Sequence, residues 1–171
     1  MLGYIGATLV LVGGTMTGLK MAWDVRHQMV VMEQLSTQIQ AIRGSLVYEK
    51  TPLPTLFRHC GRQSEGAMGE FWENFAIPLE SGAMATVYDG LLYALDQCPK
   101  WLFSTTCENI LKAMGRGLGN FQLDTQLGAL DLALERLEKT MERQRSEERG
   151  RLKSYCALGI CGGLAIAILL S

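Results

Sequence analysis

Charge is confined to the interior of this 171-residue chain. Met1 to Leu19 holds no Asp, Glu, Lys or Arg, Ser154 to Ser171 holds none, and every charged side chain lies between Lys20 and Lys153. An uncharged stretch of about 18 residues or more is long enough to cross the hydrocarbon core as a helix. The pattern therefore predicts two anchors, 1–19 and 154–171, around a polar domain of residues 20–153. A secretory leader competes for the first segment. Leaders carry basic residues ahead of the apolar run, whereas Lys20 and Arg26 follow it here, which favours a retained span. Its Gly6, Gly13, Gly14 and Gly18 would allow close packing against another membrane helix.

Orientation follows from the basic residues. Arg136, Lys139, Arg143, Arg145, Arg149, Arg151 and Lys153 precede the second span and no Lys or Arg follows it. Basic flanks stay cytoplasmic, so the central domain is expected in the cytoplasm and both termini outside. The net charge of −1 gives no electrostatic case for nucleic acid, and the basic cluster is better suited to anionic membrane lipid.

The residue types that carry chemistry do not converge. His27 and His59 are the only histidines, and no Asp or Glu stands three or four residues from His59. Five cysteines at Cys60, Cys98, Cys107, Cys156 and Cys161 form no CxxC, so unpaired thiols in a reducing compartment are expected, with neither metal nor cofactor. Cys107 has no identifiable base beside it. Gly115-Arg116-Gly117-Leu118-Gly119 has the glycines of a phosphate loop but no preceding strand and no Lys-Ser/Thr, and the pattern predicts a helix cap and tight turn instead. No enzyme is expected.

Periodicity supplies the fold. Val25, Met29, Met32, Leu35, Ile39, Ile42 and Leu46 recur at helical spacing, predicting an amphipathic helix that runs from the first span to about Tyr48 and stops before Thr51-Pro52. Leu123, Leu127, Leu130, Leu134, Leu137 and Met141 form a heptad seam, followed by a mixed-charge stretch that leads into the second span. Two long helices leaving one membrane face would lie antiparallel and cover each other's stripes. Four shorter helices are expected between them: one opened by Pro52 and closed near Gly61, one carrying Met68, Phe71, Trp72 and Phe75 and stopped by Pro78, one from about Met84 to Cys98, and one from Thr106 to Met114 capped by Thr105 with Glu108. Trp23 fits an interfacial anchor, and Trp72 and Trp101 fit core or bundle-edge positions. The expected fold is all-α, an antiparallel bundle of about six helices.

On these residues the chain resembles a known family, the stage III sporulation protein AB of endospore-forming bacteria. The resemblance is carried by the glycine-bearing first span ending in Thr17-Gly18, by Arg26, by Tyr48 with Thr51-Pro52-Leu53-Pro54, and by Gly115, Leu118-Gly119 and Gln126 before a leucine helix and a terminal span. Ser45 and Phe121-Gln122 depart from the family's polar pattern. The resemblance implies a cytoplasmic domain similar to the F-family platform proteins of type II secretion and type IV pili. It further implies a channel-like assembly in the mother-cell membrane around the forespore, with a secretion-type ATPase, the stage III sporulation protein AA, and other channel subunits as partners.

The leading expectation is a non-enzymatic membrane platform whose bundle docks that motor, self-association being compatible with it. A transmembrane signalling or adaptor protein outside sporulation is the alternative, although a receptor would want a sizeable extracytoplasmic sensor. The turns farthest from the membrane are the expected contact surface: Tyr48, Lys50, Thr51, Pro52 and Leu53 at one, Gly115, Arg116, Gly119 and Gln126 at the other. The competing reading is that the glycines and prolines only shape these turns.

Overall fold

The computed structural model describes residues 26–49, 51–120 and 122–170, with side chains as far as Glu147. It is all-helical, with no strand among the described residues. The first helix, α1, occupies 26–48; α2 is Leu53–Gln63, α3 Gly66–Glu80, α4 Val87–Gln97, α5 Thr105–Leu118 and α6 Leu123–Leu170.

Each helix runs antiparallel to the one before it wherever the described contacts report on direction. Gly61 meets Glu73 while Arg58 pairs with Glu80, so α2 and α3 are antiparallel. Gly90 lies under Leu79, Gly115 under Leu91, and Gly117 against Ala129, which continues the alternation through α4, α5 and α6. Two ion pairs close the circle between the first and last helices. Arg43 meets Asp131 at 2.5 Å and Arg145 meets Glu33 at 2.6 Å, so advancing along α1 means retreating along α6. Residue 26 and the C-terminal half of α6 therefore share one end of the bundle. The turns at 49–52, 81–86 and 119–122 share the other.

The core is richest where α1, α2 and α3 meet. Met32, Leu35, Ile39, Ile42 and Leu46 of α1 are all buried, as their spacing demands. Phe57 stacks on Phe75 at 4.1 Å, and Phe71 meets Phe103 edge-on at 4.9 Å. Trp72, fully buried, donates its indole N–H to Gln38, whose amide donates to Ser64, whose hydroxyl donates in turn to the Cys60 carbonyl at 2.7 Å. An indole can be sealed in a core only if its N–H has an acceptor, and this relay from α3 through α1 to α2 provides one.

Several expectations need correction. Pro78 does not stop α3; it sits in the last turn, and the helix runs two residues further. A proline removes only its own N–H bond, back toward residue 74; the N–H groups after it still bond, as that of Ser81 does to the Ile77 carbonyl at 3.0 Å, and the buried ring packs inward. The next helix begins at Val87, not near Met84, because Thr86 caps it, accepting from the Asp89 N–H at 3.1 Å. The helix expected over Thr106 to Met114 spans Thr105–Leu118, and its cap is Ser104, which accepts from the Cys107 N–H at 3.3 Å. Gly115 and Gly117 form no turn. They lie inside α5, where a Cβ at 115 would stand 2.5 Å from Leu91 Cδ2 and one at 117 would collide with Ala129. These glycines permit close helix approach, and the left-handed backbone occurs at Gly66 and Gly82 instead.

The seam of α6 is also thinner than its heptad suggests. Leu130 and Leu137 are fully buried with Ala133, Leu134 is only partly buried, and Leu123 is 41% exposed. The α1 stripe is covered from several sides, and α6 supplies one of them. Among the described residues no helix is long and apolar enough to cross a membrane. The spans expected at 1–19 and 154–171 lie outside the residues searched, although the α6 backbone continues unbroken to Leu170.

Candidate docking surface at the distal turns

The end of the bundle opposite residue 26 and the C-terminal half of α6 is built from three turns. In the first, α1 ends at Tyr48, whose side chain is 87% exposed, and Thr51 donates to the Glu49 carboxylate at 3.3 Å. Pro52 is exposed and extended, with φ −58° and ψ 139°, and its carbonyl accepts from the Thr55 and Leu56 N–H groups as α2 begins. Leu53 opens α2 and packs partly against the core. Lys50 lies outside the described residues.

The candidates at the last turn divide by role. Gly115 is buried beneath Leu91 and faces nothing outside. Gln126 is half-buried and turned back on the chain: its amide donates to the carbonyls of Asn120 at 2.6 Å and Leu118 at 3.4 Å, satisfying groups that the end of α5 leaves unpaired. Gly119 is exposed and ends α5 in ordinary right-handed backbone. Arg116 is the outward-facing residue of the set. Its guanidinium lies 5.1 Å from the centre of the Tyr88 ring and donates to the Tyr88 hydroxyl at 3.2 Å. That contact fixes the cation against α4 while leaving it exposed, in the geometry of a cation–π pair. No hydrogen bond, ion pair or ring contact among the described residues links Tyr48 or Thr51 to Arg116, Gly119 or Gln126. The expected cluster is thus two separate groups at one end, with Tyr48 and Arg116 outward and Gly115 and Gln126 structural.

Sequence reasoning missed the third turn. Ser81 to Thr86 joins α3 to α4 at the same end, with Gly82 at φ +70°, and it positions Tyr88 as the second residue of the next helix. The signal was present in Ser81-Gly82 and in Thr86 with Asp89 three residues on, a helix start in the manner of a capping box.

Elsewhere the chemistry is quiet. Burial pushes the Cys60 and Cys98 thiols up to about 11 and the Cys107 thiol up to about 12, which holds all three protonated and poorly nucleophilic near neutral pH. No group of His, Cys, Asp or Glu among the described residues could hold a metal ion. An apolar groove of about 250 Å³ between α5 and α6 is lined mainly by small residues such as Ala113, Gly117, Gly128 and Ala129.

The family model for the stage III sporulation protein AB matches residues 3–171. The chain belongs to the stage III sporulation protein AB family. Its likeness extends to the Bacillus subtilis (strain 168) protein named stage III sporulation protein AB, at 26% identity over 175 residues, covering 99% of each chain. A solved structure of a stage III sporulation protein AB shares the fold with a TM-score of 0.63 at 19% identity, covering 72% of this chain and 98% of that one. Of the described residues that carried the resemblance, Arg26, Tyr48, Thr51 to Pro54, Leu118, Gly119 and Gln126 fall at helix ends and turns, and Gly115 lies buried inside α5. Helix ends and turns are where a helical bundle leaves its surface least determined by packing.

Proposed function

We propose that this protein is a non-enzymatic platform of the sporulating mother cell: two membrane spans at one end of a helical bundle, and a docking surface for a secretion-type ATPase at the other. The observation that carries it is the antiparallel pairing of α1 with α6 through Arg43–Asp131 and Arg145–Glu33. That pairing puts residue 26 and the C-terminal half of α6 on one side of a six-helix bundle, the arrangement that suits two anchors in a single bilayer. The basic residues before the second segment favour a cytoplasmic bundle with both termini extracytoplasmic. A motor approaching from the cytoplasm meets the distal turns first. Tyr48 and Arg116 offer it an aromatic ring and a fixed cation, residue types that dominate binding energy at interfaces.

Family membership supports a part in endospore formation, with the stage III sporulation protein AA and neighbouring channel subunits as partners. The decisive assay is capture of that ATPase by the full chain in vesicles. Tyr48→Ala and Arg116→Glu should each weaken capture tenfold or so, about 1.4 kcal/mol, and Lys50→Glu should act in the same direction. Arg143→Glu, at the membrane end, should leave capture unchanged. Undiminished capture by the distal variants, with loss in the Arg143→Glu protein, would place the contact at the opposite end.

A further inference from the structure

The α4–α5 turn is the one loop at the membrane end that presents a large aromatic ring outward. Trp101 is 60% exposed, while the residues after it, Leu102 and Phe103, are buried, and the Leu102 N–H bonds back to the Pro99 carbonyl at 2.9 Å. A tight turn pinned by two core side chains holds the indole in place rather than letting it fold inward. The ring stands edge-on to His27 near the start of α1, with centres 5.2 Å apart and planes at 70°. Exposed Lys100 and Arg26 are sequence neighbours of the two rings.

The height of this group can be read from the ion pairs. Glu33 lies level with Arg145. Six residues back from Glu33, His27 is roughly 9 Å nearer the end of the bundle that holds residue 26, and nine residues on from Arg145, the α6 backbone at Ser154 is roughly 13 Å nearer the same end. Trp101 therefore stands about one helical turn short of the first residue of the uncharged C-terminal segment. The headgroup region on each side of a bilayer is about 5–8 Å thick, so this ring falls within it.

We infer that the turn carrying Lys100 and Trp101 is a third membrane contact, in which the indole lies in the headgroup layer and Lys100 meets lipid phosphate. The inference rests on the two-span reading above. A lone exposed tryptophan elsewhere on a surface would require no explanation; its height, its rigid presentation and its flanking cations select a lipid interface, where an amphipathic ring beside a basic side chain is stable. The contact would fix the tilt of the bundle over the bilayer, since two helices alone leave it free to lean.

The test uses the full chain carrying Trp23→Phe, reconstituted into vesicles of phosphatidylcholine and phosphatidylglycerol, with the same chain carrying Trp101→Phe as the reference. Trp72 is sealed in the core of both, so the difference in emission belongs to Trp101. Lipids brominated near the headgroup end of the acyl chain should quench that difference signal strongly, lipids brominated near the chain terminus should quench it weakly, and aqueous acrylamide should lose access to it on reconstitution. A Trp101 signal that neither brominated lipid quenches and acrylamide still reaches, in protein that resists carbonate extraction, would overturn the contact while leaving the two spans standing. Release of the chain by carbonate would overturn both. Protection from lipid and acrylamide alike would mean a protein surface covers the ring, and would also overturn the lipid contact.

Discussion

The aromatic interior of the bundle and its distal turns are built on different terms. Where α1, α2 and α3 meet, Phe57, Phe71, Trp72, Phe75 and Phe103 pack ring against ring, Gly61 and Gly69 bring α2 and α3 to close approach, and the Trp72–Gln38–Ser64 relay ties three helices together. At the distal turns the core still reaches Leu46, Leu91 and Leu118, but Tyr48 stands in solvent, Leu123 is partly exposed, and the last turn is held by the Gln126 amide on the Asn120 and Leu118 carbonyls. The contrast teaches where each property resides: the interior fixes the fold, and the turns are open to selection for contact.

The largest expected effect probes that division. In a fragment of residues 26–147, Trp72→Ala should cost about 3–5 kcal/mol, since it empties the largest site in the core and strands the Gln38 acceptor. Tyr48→Ala should leave the chemical denaturation midpoint within error of the parent. Equal losses would erase the distinction between interior and turns.

Glycines sharpen it at intermediate scale. A Cβ at Gly69 would stand 2.6 Å from the Ser64 carbonyl oxygen, a backbone atom that cannot yield, so Gly69→Ala should cost about 1–3 kcal/mol. At Gly115 the obstacle is a methyl of Leu91, which can rotate away, and the cost should be smaller. Gly44, with nothing within 4 Å, should gain roughly 0.5–1 kcal/mol on replacement by Ala, the ordinary helix preference. Urea midpoints of the three variants give the order directly.

Much of this architecture was legible in the chain. The stripe from Met32 to Leu46 is buried because one helix face meets a core, and burial of one face imposes the 3.6-residue period that the sequence displays. The seam of α6 was less faithful, because its apolar spacing persists where Leu123 and Leu134 are only partly covered. Pro78 misled because a proline breaks only the bond back toward the preceding turn, and the packing that buries its ring and carries the helix past it is not written in local sequence. Gly115 and Gly117 misled for a different reason: their requirement is set by Leu91 and Ala129, residues on other helices. The pairing of Arg116 with Tyr88 is likewise a product of topology. Of the candidate surface, the exposed Tyr48 could be inferred from its place beyond the stripe. The inward turn of Gln126 could not.

The smallest effects belong to the ion pairs that mark the register. Arg43 is held further above its usual range by the hydrogen bond and charge of Asp131, yet both side chains are about half exposed, and water and salt screen such pairs. Arg43→Met should leave the melting temperature of the fragment nearly unchanged. A large loss would mean that α1 and α6 depend on this contact far more than their shared packing implies.

The central claim is that one end of the bundle stands in the membrane and the other faces the cytoplasm. It is tested most directly by thiol labelling of right-side-out vesicles with an impermeant maleimide, using chains with Cys156 and Cys161 replaced by Ala. Cys60 and Cys107 are buried and Cys98 is half-buried, and their thiols, with pKa values raised to about 11, 12 and 11, form a slow background. A cysteine appended after Ser171 should label in intact vesicles, and Tyr48→Cys should label only after permeabilisation. Labelling of Tyr48→Cys in sealed vesicles, with the terminal cysteine protected, would contradict the account.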